Sequence, residues 1–215
     1  MLKLYHVYQF RGIFFREEGI AVHTAYFKNL LQYLPQEEQQ QLQKASGATD
    51  AQIESLLEIF PQSPQSFIEL LQDVNGTYHC KHGQENISVL VLGSDLGDYP
   101  YYLKAVEQIL ADAQNQRETI FERYQDFLEY VDIDKRINMH VPLNERLCFA
   151  DCMNNGGTSC LYLDFSPAEG GKMGQVVRYV HDPDSFEVIA SSFDEYLQQL
   201  VEGEYEFTAL YEEEF

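Results

Sequence analysis

The sequence predicts an α+β fold: a largely antiparallel sheet flanked by N-terminal and C-terminal helices, with a helical insertion. Three observations carry this. Amphipathic helical stripes occupy the region before residue 75, four strand-like runs joined by short turns follow Arg146, and a final amphipathic helix comes after them. Consecutive strands linked by short turns favour antiparallel pairing over the alternating strand and helix order of a parallel nucleotide-binding sheet.

Residues 1–48 read as an N-terminal helical extension. In "AYFKNLLQYL", Phe27, Leu30, Leu31 and Leu34 fall on one helical face and Pro35 stops the run. The Gln-rich "EEQQQLQKASG" reads as a solvated helix or a linker ending at Gly47. The main α+β domain is expected over 49–203. "TDAQIESLLEIF" opens with a Thr49-x-x-Gln52 capping pattern and places Ile53, Leu56, Leu57 and Phe60 on one stripe before Pro61. "SPQSFIELLQDVNG" starts again, with Ser63 as expected N-cap and Pro64 in the first turn. Its buried face is Phe67, Leu70, Leu71 and Val74, and Asn75-Gly76 supplies a left-handed stop.

"ISVLVLGSDL" is apolar, β-branched and too short for a typical helix, so it reads as a buried strand. "YYLKAVEQILADAQNQRETIFERYQDFLEYV" reads as one or two helices, most of it within a helical insertion over 104–145. "RLCFADC", "SCLYLDF", "QVVRYVHD" and "FEVIA" are then four strands, and "SSFDEYLQQLVEG" is a helix opened by a Ser192-x-x-Glu195 box. Residues 204–215 read as an acidic C-terminal tail.

At 215 residues the chain is long enough to bury about 70% of the surface its unfolded form exposes. Fourteen Lys and Arg against 35 Asp and Glu give a net charge of −21. A field of that sign repels nucleic acid and anionic membranes and steers cationic partners inward. The asymmetry is sharpest at the end: from Asp182 to Phe215 there are eleven acidic residues and no Lys or Arg. Such a block is a solvated tail or an acidic interaction face. Four cysteines do not form a disulfide framework, no apolar run reaches the ~20 residues of a membrane helix, and Arg11 and Arg16 interrupt any leader-like opening. A reducing cytoplasm is the expected location.

The candidates for chemistry are thin. "GSDLG" and "GGKMG" lack a Lys and Ser/Thr pair at the spacing of a phosphate loop and read as turns. His79, Cys80 and His82, with Cys148 and Cys152, do not form two matched zinc-ligand pairs. Cys160 with His181 is a conceivable nucleophile and base, but Cys160 sits in an apolar strand with no basic neighbour in sequence. Asp164, at the end of "LYL", is expected to tether the following loop, whose Gly170, Gly171 and Gly174 shape its turns. No catalytic residue, metal or cofactor is expected.

"IESLLEIFPQSPQSFIELLQDVNG" resembles the opening of SUKH superfamily domains, the Smi/Knr-like family. "FADCMNNGGTSCLYLDFSPAEGGKMGQVVRYVHD" with "VIASSFDEYLQQL" resembles the other half. Gly174, Gln175 and Val176 match the entry to the last strands, Asp164 and Pro167 the preceding turn, and Ser192 and Phe193 the final helix. Many members carry Trp before the central strands; this chain has none.

The resemblance implies a non-catalytic domain of bacterial immunity-protein type that neutralises a cognate toxin, often a nuclease. The alternative is a regulatory or scaffold module of the Smi/Knr type. Under the first reading the partner is a cationic toxin domain, with no nucleic acid or membrane. The expected partner-binding residues are Asp182, Asp184, Glu187, Glu204, Tyr205, Glu206, Phe207, Tyr211, Glu212, Glu213 and Glu214. Phe215 joins the three aromatics as a candidate anchor.

Overall fold

The computed structural model describes residues 22–97, 99–152 and 158–212. Residues 153–157, and Glu213, Glu214 and Phe215, lie outside them. Helices α1 (Val22–Leu30), α2 (Gln36–Leu42), α3 (Asp50–Ile59) and α4 (Gln65–Asp73) come first. The stripes of α3 and α4 are buried as the periodicity predicts, with Leu56, Phe67, Leu70 and Leu71 fully enclosed. Each such side chain stabilises the fold by about 1.5–3 kcal/mol. Thr49 and Gln52 form the reciprocal capping box of α3. Ser63 does not cap α4: its hydroxyl donates back to the Phe60 carbonyl, 2.8 Å away, and Pro64 occupies the cap position. Gly76 takes the left-handed φ of +84°, and Asn75 Oδ1 accepts the Val106 N–H (2.9 Å) at the start of the next long helix.

A hairpin of β1 (Cys80–His82) and β2 (Glu85–Ile87) follows. The apolar run 89–92 is buried as expected, but it is not a ladder strand. It is an extended segment held by Val91 N–H to Tyr101 O (2.9 Å) and a single bridge between Leu92 and Tyr101. Tyr26 and Tyr196 satisfy the carbonyls this irregularity leaves behind, donating to Val91 O (2.6 Å) and Gly93 O (2.7 Å).

The six-stranded sheet has the order β3-β5-β6-β7-β8-β4. Its strands are β3 (Tyr102–Leu103), β4 (Asp132–Ile133), β5 (Leu147–Cys152), β6 (Ser159–Asp164), β7 (Gln175–Val180) and β8 (Ser185–Ala190). All pairings are antiparallel except β4 with β8. The fold is α+β. Alternation along the strands divides the core in two. Leu161, Leu163 and Val176 join Phe149 and helices α1, α3, α4 and α7 (Phe193–Glu202) in one cluster. Tyr162, Val177, Phe186 and Cys148 face a second cluster with Ile120, Tyr124, Ile137 and Leu143. In the first, Phe67, Phe149 and Phe193 meet edge to face with centroids 5.2–5.9 Å apart.

Segment 104–145 is therefore more than a helical insertion. It contains α5 (Val106–Asn115) and α6 (Ile120–Tyr124), then irregular chain, and it supplies edge strand β4 and the cover for the second sheet face. Side chains within residues 26–48 and at 205–207 likewise belong to the main core. Tyr26 and Leu30 are fully buried in it, and Tyr205 and Phe207 are 2% and 4% exposed. The expectation of a tail from 204 onward is corrected for its described part. A 3₁₀ segment, Glu206–Glu212, packs inward, with the Tyr205 hydroxyl donating to Tyr26 O (3.1 Å). A Cβ on Gly93 would come within 2.6 Å of the Phe207 ring.

Candidate protein-interaction site

The expected partner-binding residues separate into two groups. Tyr205, Phe207 and half-buried Tyr211 are not free anchors; their rings pack on the chain's own core. The physical reason is a short in–out alternation in "EYEF" that sends the rings inward and leaves Glu204 and Glu206 exposed. The side chain of Glu212 lies outside the described residues, as do Glu213, Glu214 and Phe215. Asp182, Asp184 and Glu187 stand elsewhere, on the β7–β8 turn and on β8 at the β4 edge of the sheet.

Those three meet residues that sequence reasoning did not select. Strand β4 runs beside β8, pairing Asp132 with Ser185 and Ile133 with Phe186. This carries the preceding turn at 127–131 alongside Asp182–Asp184. Two grooves result, about 410 Å³ and about 620 Å³, with Tyr130, Asp182, Pro183 and Asp184 in the lining of both. The smaller adds Asp132 and Glu187, the larger Phe127 and Arg123. Tyr130 is 73% exposed and Phe127 63%, the most exposed aromatic rings among the described residues. A signal was available in "DFLEYV": Phe127 and Tyr130 fall after the end of the apolar stripe of α6, where no core position calls for a ring.

The charge of this face is only partly neutralised. Arg178 is buried and donates two bonds to Asp95, Nε–Oδ1 at 2.6 Å and Nη2–Oδ2 at 3.0 Å. Arg136 is bound in the same manner by Asp134. Asp184 accepts from the Tyr179 hydroxyl (2.9 Å) and lies 2.8 Å from His181 Nδ1. Partial burial raises the Asp184 pKa, but bonds from His181, Tyr179 and Tyr124 outweigh that and leave it below the ordinary aspartate value. Asp132, Asp182 and Glu187 have no ion-pair partner among the described residues. Burial first, then repulsion from Asp132 and Asp134, pushes the Glu187 pKa up. The groove thus presents apolar rings beside carboxylates that form no ion pair among the described residues, an arrangement suited to a cationic protein surface.

The other candidates resolve into structural roles. Asp164 is fully buried and accepts the Ser166 N–H (3.2 Å) and the Gln175 amide (3.0 Å). Its main-chain carbonyl, and not its carboxylate, takes the Gly174 N–H (2.7 Å). Gly170 and Gly174 adopt φ of +86° and +82°, while Gly171 leaves no room for a Cβ beside Arg136 O and Pro167. Cys160 and His181 do not form a pair. The Cys160 thiol contacts Asp151 (3.7 Å), its pKa raised by the bond to Cys148 and by burial, while His181 is engaged by Asp184. His82 Nδ1 accepts the Ser46 N–H (2.9 Å), which leaves its Nε2–H to donate to Gly76 O (3.0 Å). Among the described residues no group of His, Cys, Asp and Glu is arranged to hold a metal ion, and no helix is long and apolar enough to cross a membrane.

Comparison with protein families matches residues 47–199 to the SMI1 / KNR4 family (SUKH-1). No curated protein matches the chain. The matched span runs from the approach to α3 through most of α7, so it includes both sheet faces and the segment that builds the grooves. With 153 of 215 residues inside that span (199 − 47 + 1), the chain belongs to the SMI1 / KNR4 family (SUKH-1).

Proposed function

We propose that this chain is a non-catalytic, cytoplasmic binding protein that neutralises a cognate toxin by covering a cationic surface with its own acidic exterior. Family membership supports a protein-binding role. The observation that carries the finer reading is the β4–β8 face, where exposed Phe127 and Tyr130 adjoin the unpaired carboxylates of Asp132, Asp182 and Glu187. Aromatic rings provide contact area at small entropic cost, and carboxylates set register and speed encounter with a basic partner. A nuclease fits as the target because its phosphate-binding groove is basic.

The test is co-expression of the full chain with the product of the neighbouring reading frame, followed by affinity capture and growth assay. A complex isolated together with restored growth is the expected result. Capture of host proteins with no effect on growth would move the assignment to the regulatory or scaffold type. Turnover of a substrate by the purified chain would end the non-catalytic reading.

A further inference from the structure

We propose that the smaller groove, whose lining includes Tyr130, Asp132, Asp182 and Glu187, receives an arginine side chain projecting from the protein partner. This rests on the reading of the chain as a partner-binding protein and names the chemistry of its contact. The cleft is lined mainly by apolar surface and holds about 410 Å³, room for one long side chain and the backbone that carries it. Tyr130, 73% exposed, lines this cleft and the adjoining one, and Phe127, 63% exposed, lines the adjoining one.

Charge selects the occupant. Each guanidinium native to this region is already held by its own carboxylate, Arg178 by Asp95 and Arg136 by Asp134. The carboxylates of Asp132, Asp182 and Glu187 form no ion pair among the described residues. Like charges crowded on a partly apolar wall are disfavoured until a cation arrives; burial first, then repulsion from Asp132 and Asp134, raises the affinity of Glu187 for a proton. Arginine suits the cleft better than lysine. Its planar guanidinium stacks on an aromatic face, donates to two carboxylates at once and sheds water more readily than an ammonium. The Arg178–Asp95 pair, with two bonds to one carboxylate, shows a guanidinium held beside the cleft.

The probes are an acetylated hexa-arginine peptide and a hexalysine peptide of equal charge, titrated into the ¹⁵N-labelled full chain at low salt. Amide shifts are expected at residues 127–134 and 178–188. The arginine peptide is expected to bind roughly two- to fivefold more tightly than the lysine peptide, the scale of an exposed cation–π contact. Tyr130→Ala, a change at an exposed ring, should abolish that preference and leave the remaining charge-driven binding in place. Asp132→Asn with Glu187→Gln should weaken both peptides. Equal affinity for the two peptides, or shifts centred on Glu202, Glu204 and Glu206, overturns the arginine cleft but leaves the acidic-exterior reading standing. An absence of shifts overturns the cleft as well. The capture and growth assay reads the wider proposal separately, because it does not depend on which face is used.

Discussion

Arg146 Nε lies 3.4 Å from Asp164 Oδ1, with the two side chains 1% and 0% exposed. The guanidinium also donates to the carbonyls of Val141 (3.2 Å) and Asn138 (2.7 Å), so it ties the end of the 104–145 segment to the end of β6. Removing one member leaves the other charge buried without its counterion. Asp164→Ala is expected to cost about 3–5 kcal/mol, read from the urea midpoint at constant slope. A loss below about 1 kcal/mol would mean that the pair behaves as a solvated surface bridge.

The end of the chain offers a second test, because acid count and burial point in opposite directions there. Phe207→Ala is expected to destabilise the fold by about 3–5 kcal/mol, the range for truncating a buried phenylalanine. Glu204→Gln and Glu206→Gln, at exposed positions, should stay within about 0.5 kcal/mol of the parent. Thermal or urea unfolding of the three variants settles whether residues 205–208 are core or tail.

Gly93→Ala brings a methyl group to within 2.6 Å of the Phe207 ring. Overpacking of about 1–3 kcal/mol is expected. The double change with Phe207→Leu should cost less than the sum of the two single changes, since the smaller side chain vacates the contested space. Strict additivity would place the strain elsewhere.

The face that carries Glu187 makes a pH-dependent prediction. Its folded-state pKa is raised above the ordinary glutamate value by burial and by neighbouring carboxylates. A carboxyl shifted in that direction contributes stability fully present below its unfolded pKa and lost as pH rises through its folded pKa. Glu187→Gln removes the penalty, so the variant should melt above the parent at neutral pH. The gap should close as pH falls below the ordinary glutamate range. A gap that is unchanged across this window would show that the carboxyl is not crowded.

Much of this architecture could be read from residue spacing alone. The 3.6-residue stripes placed Ile53 and Leu56 on α3, Phe60 just past its end, and Phe67, Leu70 and Leu71 on α4, and each is buried. The period-2 runs after Arg146 became β5 to β8. Local signals failed where tertiary pairing decides the outcome. Strand β4 is two residues long and pairs in parallel with residues more than fifty positions away, so nothing in its own spacing announces it. Segment 89–92 has the composition of a strand, but its polar groups are met partly by tyrosine hydroxyls, Tyr26 at Val91 O and Tyr211 at the Leu90 N–H, and no full ladder forms.

The candidate site was half visible for the same reason. Asp182, Asp184 and Glu187 stand out as acids in a segment without Lys or Arg. Their aromatic neighbours Phe127 and Tyr130 lie in another part of the chain, and only the β4–β8 pairing brings them together. The rings within the acidic block were conspicuous and misleading. Tyr205 and Phe207 serve the core, and the two most exposed rings, Phe127 and Tyr130, come from the segment between α6 and β4.

The most direct measurement is the association rate of the captured partner with the full chain over a series of ionic strengths. If the negative exterior draws in a cationic surface, the rate constant should fall by about tenfold or more as salt rises from low to several times physiological strength, with dissociation changing far less. A rate indifferent to salt would contradict the account, because the partner would then be finding this protein by something other than its charge.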